Sequence, residues 1–356
     1  MLDPTTTSAL AARIASDSRN KNVGLYSQAM ESELSFSELL EKLDPSPVDP
    51  DGNISGQDAF ERQLSLAGII THGQRATSLN QFVTGSGLIL LPEFITREIT
   101  AGYQMVQDPT ELLAATVPDD SPVIKPIYMK TTEARKSFGK RAEAAGFPVS
   151  KLLYRDKDIA MQDRGRQFDF SYQILRNQRI PEFSAFLKFM GAQIACDELY
   201  EIYSILLNGD GTSPAAVDVF TGTPATLAYT DIVHLAMSFD GPTQMTHILG
   251  LAADIEVILN LTPFTDATAW RATELFARTG DYQSFLPLHS KLVVVPGATA
   301  TKVIGLDSRF AIKETVASPL MVEAEKIITQ KLETAVISKE ACYSIMIDEA
   351  RKLSDY

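Results

Sequence analysis

From Glu182 to Leu207 the chain reads as one uninterrupted amphipathic run, and a helix of that length dictates what can be built around it. Pro181 stands just before it, and Asn208-Gly209-Asp210-Gly211 is a strong stop signal. Phe183, Leu187, Met190, Ile194, Leu199, Ile202 and Leu206 recur at helical spacing and define one apolar face. At about 1.5 Å per residue the helix should be roughly 40 Å long, long enough to serve as the backbone of a domain.

The other segments must supply what packs on that backbone. A chain of 356 residues exceeds the usual single domain, and its 45% hydrophobic and 22% charged residues are ordinary for a protein with a sizeable core. No apolar run approaches the roughly 20 residues that span a bilayer. The start, MLDPTTTSALAARI, lacks the basic and apolar stretches of a secretory signal, so a cytosolic setting is expected. In that reducing compartment Cys196 and Cys342 are expected as buried free thiols, and a disulfide between them is disfavoured.

Before the long helix, residues 1–43 read as polar and helical, with Leu10, Ile14, Leu34, Leu39, Leu40 and Leu43 loosely periodic. DPSPVDPDGN (44–53) has the composition of a linker. A short amphipathic helix is expected from Asp58 to Ile70, then a polar, unpatterned boundary near 71–81. GSGLILLPEFITREI (85–99) reads as a strand-like run that meets Pro92 and turns into a short helix.

Residues 123–175 are different in kind. Two strand-like flanks enclose a middle rich in Gly, Ala and charge that could form no core alone, so a two-stranded excursion from the body is expected. An isolated hairpin is marginal in water, and this one must lie against something. It is also the one basic stretch: residues 123–166 hold eleven Lys/Arg against five Asp/Glu, a net of +6 that leaves −19 on the rest of a chain whose total is −13. An acidic body with one basic segment can pair copy to copy, whereas general nucleic-acid binding calls for a basic face. A solvated hairpin would carry the same charges.

After the helix, residues 225–316 look α/β. LAYTDIVHLAMSF and GLAADIEVILNL are helical, KLVVVPGA (291–298) is a buried strand with its turn, and TKVIGLDSRFAIKETV offers further strands. Residues 320–347 alternate as strands, with Tyr343, Ile345 and Ile347 on one face, returning to the long helix.

Chemistry is scarce along this chain. His72, His234, His247 and His289 are scattered without metal-binding spacing, and no nucleophile elbow or Cys-x-x-Cys pair occurs. The glycine clusters at 85–87 and 209–211 are turn punctuation: no Gly-Lys-Ser/Thr follows, and the second closes a helix where a phosphate loop would open one. Asp-Gly-Asn-Ile-Ser (51–55) lacks the later ligands of a calcium loop. Glu323/Glu325 and Asp156/Asp158 would each share a strand face, with nothing to tune one carboxylate against the other. No catalytic, cofactor or metal residue is assigned, and the chain is not expected to be an enzyme.

The succession of an N-terminal arm, a long basic hairpin, a spine helix, an α/β insertion and returning strands resembles the Hong Kong 97-type capsid fold of tailed-phage major capsid proteins, which encapsulin shells share. TGSGLILLPEFITREI (84–99) is similar to the family's turn from arm to body, and RKSFGKRAEAAG (135–146) falls near the tip of its extended loop. The resemblance covers about residues 82–356 and implies an α+β fold. Its parts would be an N-terminal extension and arm (1–81), the lead-in to the peripheral domain (82–122), the extended β-hairpin loop (123–175), the spine-helix region (176–224), an α/β axial domain (225–316) and closing strands (317–356).

By function, the resemblance implies hexamers and pentamers of an icosahedral virion shell around double-stranded DNA, assembled in the host cytoplasm. Its partners would be other copies of the chain, together with portal, scaffolding and decoration proteins, and no membrane. Arg135, Lys136, Lys140 and Arg141 would then reach acidic groups on the adjacent subunit. Some members cross-link a loop lysine to a neighbour's asparagine; no such asparagine is identifiable here. An encapsulin-type compartment is the second reading, disfavoured by the 80 residues ahead of Thr84. A cytosolic α/β enzyme with its site in 225–316 is the third.

Overall fold

The computed structural model describes residues 4–20, 24–32, 34–49, 54, 56–71, 73, 76–79, 81–82, 87, 89–106, 108–129, 149, 151–171, 178–261, 286–327 and 332–356. In chain order the elements are α1 (Pro4–Asn20), α2 (Gly24–Glu31), α3 (Phe36–Leu43), α4 (Ala59–Leu66) and α5 (Leu90–Tyr103). Six strands follow, β1 (Ala115–Pro118), β2 (Val123–Ile124), β3 (Ile127–Met129), β4 (Leu152–Tyr154), β5 (Ile159–Ala160) and β6 (Gln162–Ser171). Then come α6 (Ile180–Asn208), β7 (Val217–Asp218), α7 (Tyr229–Met237), β8 (His247–Gly250), α8 (Ala252–Leu259) and β9 (Lys291–Val294). The chain closes with β10 (Lys302–Leu306), β11 (Ile312–Ile327), β12 (Leu332–Ile345) and β13 (Arg351–Asp355). Helices lead the chain and long strands close it, with an alternating stretch from α6 to β9 between them, and the class is α+β.

Two compact units form from interleaved segments: Met1–Met105, Gly165–Ala192 and Leu320–Ser338 make one, and Val106–Arg164, Gln193–Pro319 and Lys339–Tyr356 the other.

In the first unit the N-terminal helices are held by polar ties as much as by apolar contact. α3 opens with a capping box, in which Ser35 Oγ accepts from the Glu38 amide at 3.2 Å and Glu38 Oε2 accepts from the Ser35 amide at 2.8 Å. Asp58 caps α4 by accepting from the Glu61 amide at 2.7 Å. The Pro- and Asp-rich segment from 44, expected as a linker, is tied down where it is described. Buried Arg62 donates to Asp44 Oδ2 (3.2 Å), the Asp44 carbonyl (2.6 Å), Ser46 Oγ (2.8 Å) and the Gln57 carbonyl (2.8 Å). Composition signals turns there but cannot reveal one arginine that supplies partners for several of them.

α5 corrects the strand-like reading of its first residues. Leu90 and Leu91 begin the helix, and Pro92 sits in its first turn, where a missing N–H costs nothing. The N-terminal module docks on it: Arg97 reaches Asp58 at 2.5 Å and Ser37 at 2.7 Å, and the Tyr26 hydroxyl donates to the Ile89 carbonyl at 2.8 Å. α5 also crosses the first half of α6 backbone to backbone. A Cβ at Gly102 would run into the Lys188 carbonyl, and one at Gly191 into the Ile99 carbonyl. Glu98 brackets this crossing by accepting from Ser184 Oγ at 2.5 Å and pairing with Lys188 at 3.3 Å.

The second unit is built on a five-stranded sheet in the order β7-β13-β10-β8-β9. β10 runs antiparallel to β13 and β8, setting Ile304 opposite both Leu353 and Leu249, while β8 and β9 are parallel. Alternation along these strands serves two layers. Leu249, Val293, Ile304 and Leu353 pack with Leu199, Ile202, Tyr203 and Leu206 of α6. Their neighbours Ile248, Leu292 and Val303 pack with Ile232 and Leu235 of α7 and Ile255 and Ile258 of α8. The described residues of 225–316 alternate helix and strand as expected, and α6 covers the helix expected from Glu182 to Leu207. A second sheet has the order β1-β11-β12-β6, with β1 parallel to β11.

The end of α6 is finished by a buried cation. Arg351, 1% exposed on β13, donates to the carbonyls of Ile205 (3.2 Å), Leu206 (2.5 Å) and Pro214 (2.5 Å). Gly209 leaves the helix at φ +91°, a left-handed turn that favours glycine.

Candidate assembly surface

Of the segment expected as a hairpin excursion, the flanks form two short antiparallel ladders in the second unit, and residues 130–148 lie outside what is described. β2 pairs with β5, placing Val123 opposite Ala160 and Ile124 opposite Ile159. β3 pairs with β4, placing Ile127 opposite Tyr154, Tyr128 opposite Leu153 and Met129 opposite Leu152. Residues two apart share a face, so Tyr128 and Leu153 lie on one side, while Ile127, Leu152 and Tyr154 lie on the other.

The two faces are not equivalent. Tyr128 and Leu153 are half-buried. On their side Arg155 lies 4.2 Å above the Tyr128 ring and pairs with Asp348 at 3.1 Å. With only 10% of its side chain exposed, Arg155 ties the ribbon to the body of its unit through a cation–π contact and an ion pair together. The opposite face is 45% exposed at Ile127, 67% at Leu152 and 64% at Tyr154. Three large apolar side chains in register on a two-stranded ribbon are unusual on a surface meant only for water.

Arg135, Lys136, Lys140 and Arg141 lie outside the described residues. The apolar face nearer the base was missed, although its signal was present as alternation in Ile127-Tyr128-Met129 and Leu152-Leu153-Tyr154. Lys125 pairs with Asp158 at 3.8 Å, both more than half exposed, which contributes little to stability. Asp156 and Asp158 sit in the turn between β4 and β5 and not on a strand, so they share no strand face. The Glu323 and Glu325 side chains are outside what is described.

The densest charge cluster of the second unit lies between α6 and the sheet strands. Lys339 Nζ is 3.0 Å from Glu198 and 2.8 Å from Glu314, whose side chains are 8% and 5% exposed. Arg164 pairs with Glu201 one turn along α6 and donates to the Ala341 carbonyl at 2.7 Å. Burial lifts the Glu201 pKa, opposed by Arg164. Burial works against the Lys339 charge, yet the pull of Glu198 and Glu314 outweighs it and its pKa is raised. Every carboxylate in this cluster faces a cation, which suits a clamp more than a site that exchanges protons.

Among the described residues no group of His, Cys, Asp and Glu is arranged to hold a metal, and no helix is long and apolar enough to cross a membrane. His234 and His289 are exposed, and His72 is outside the described residues. His247 is 6% exposed on β8, its Nδ1 2.9 Å from Thr246 Oγ1. Cys342 is buried as expected, whereas Cys196 is only half-buried; both are free thiols.

No family model and no curated protein matches the chain. Among solved structures it is similar to the virus-like particle from Pyrococcus furiosus, at 12% identity and a TM-score of 0.49, over 74% of this chain and 99% of that one. It is similar to the capsid of a native GTA particle at 13% identity and a TM-score of 0.48, over 70% and 91% of the two chains. A third likeness is to Microbacterium phage Oxtober96, at 10% identity and a TM-score of 0.46, over 67% and 88%.

Proposed function

We propose that this chain is a major capsid protein of a tailed phage, which assembles with copies of itself into the hexamers and pentamers of an icosahedral shell around double-stranded DNA. The observation that carries the reading is the ribbon: anchored through Arg155 on one face, it offers Ile127, Leu152 and Tyr154 on the other. A subunit that meets a different patch on the next copy can close into rings, and a ribbon reaches surface that a compact body cannot. The charge of the chain agrees, since its +6 segment belongs to a body carrying −19. Arg135, Lys136, Lys140 and Arg141 are the cations that would meet acidic groups of the adjacent copy, individually weak at about 0–1 kcal/mol but repeated over the shell.

In this reading the protein has no catalytic role. It resides in the virion, is assembled in the host cytoplasm, and works with portal, scaffolding and decoration proteins. An acidic wall encloses DNA without gripping it.

Electron microscopy of the chain expressed alone, and of a variant carrying Ile127→Asp, Leu152→Asp and Tyr154→Asp, tests the proposal. Icosahedral particles, tubes or capsomers are expected from the parent, and a folded, unassembled subunit from the variant. A parent that stays a monomer or dimer at every salt concentration would overturn the reading.

A further inference from the structure

The ribbon's apolar face needs a counterpart, and the N-terminal module offers one that the capsid resemblance does not cover. Val48 and Ile54 face each other across an isolated antiparallel bridge and are 61% and 49% exposed. They stand in an acidic part of the chain, for residues 31–62 hold nine Asp/Glu against two Lys/Arg. Several of those acids are used internally: Asp44 by Arg62, Asp58 by Arg97, and Glu41 by Ser46 and the Ala59 amide. Glu31, Glu38, Asp49 and Glu61 are exposed.

The two surfaces are therefore both apolar and opposite in charge. Each sets exposed apolar side chains across paired backbone, a three-pair ladder at the ribbon and a single bridge at Val48 and Ile54, the first within a segment of +6 and the second within a segment of −7. We infer that the Ile127–Leu152–Tyr154 face of one copy docks on the Val48–Ile54 bridge of the N-terminal module of a second copy. The inference rests on the shell reading and deepens it by naming the surface that receives the ribbon. Apolar contact supplies the attraction, and the charges select this pairing over ribbon on ribbon, which would set like charges together. A contact between one short ladder and one bridge is smaller than the roughly 1,200–2,000 Å² of a stable isolated pair, so it forms in the assembled lattice and not between free subunits. The module then joins neighbours instead of hanging from its own subunit as a tail.

The test is made on assembled particles. Chains carrying Val48→Cys are co-assembled with chains carrying Tyr154→Cys or Leu152→Cys, positions exposed enough to accept the change. A disulfide-linked dimer is expected from a mixed assembly and not from either variant alone or from the parent. In parallel, a Val48→Asp/Ile54→Asp chain is expected to fold and to lose assembly. Particles of normal yield from that chain, or mixed particles without any linked dimer, overturn the inference and leave the shell reading intact. A parent that forms no particles overturns both.

Discussion

Arg351 donates to the carbonyl oxygen of Leu206, 145 positions earlier in the chain, at 2.5 Å. A helix leaves its last carbonyls without partners, and here a strand from far along the chain supplies the donor. Arg351→Met should destabilise the second unit by about 3 kcal/mol, because a buried ion is replaced while the Leu206 and Pro214 carbonyls lose their donor. Denaturant unfolding followed by circular dichroism measures this. A midpoint equal to the parent's would show that water satisfies those carbonyls equally well.

The α5–α6 crossing should be intolerant of a single methyl. Gly191→Ala forces the two helices apart at the Ile99 carbonyl, and the expected loss is about 1–3 kcal/mol despite the better helix propensity of alanine. A thermal melt no lower than the parent's would mean that the crossing is looser than the backbone contact implies.

Lys339 gives a prediction with a pH signature. Its raised pKa means that its contribution is complete below the unfolded value and fades only as pH climbs through the folded one. Lys339→Met leaves Glu198 and Glu314 buried without their shared cation, so a loss on the order of 3 kcal/mol is expected at neutral pH. That loss should be complete below the unfolded lysine value, about 10.4, and shrink as pH climbs through the folded one, where the parent gives up the same charge. A pH-independent difference between variant and parent would contradict the account.

His247 works in the opposite sense. Burial, with Lys291 close by, lowers its pKa, so the folded state holds the ring neutral. The parent should lose stability as pH falls below the ordinary histidine value, near 6.5, toward the depressed folded one. His247→Gln should flatten the stability profile over that window. An unchanged slope would place the acid sensitivity elsewhere.

α6 could be read from sequence because everything that defines it is local: a proline in its first turn, an apolar period within it and glycine after it. The strands of 291–294 and 302–306 were legible as dense apolar runs for the same reason. β7 and β13 were not, being short and made strands only by partners far away in sequence. Ala115–Pro118 is exposed along its length, so no burial pattern marks it; its pairing with Lys313–Val316 defines it. The start of α5 was hidden by Pro92, a residue that reads as a break until its place in the first turn is known. Of the ribbon, the charge was visible at once. Its apolar face was not, since alternation over three residues says little until the register puts Ile127 against Tyr154.

The position of β13 has a consequence for timing. It lies inside the five-stranded sheet, between β7 and β10, yet follows every other strand of that sheet in the chain. Until it arrives β7 has no neighbour, one side of β10 is open, and the last turn of α6 is uncapped. Nearly all of the second unit must therefore leave the ribosome before its sheet can close, and contacts so distant in sequence form slowly. In the proposed shell, a half-made subunit would have no finished surface for its neighbours, so lattice growth would draw on completed chains and leave those still being translated alone.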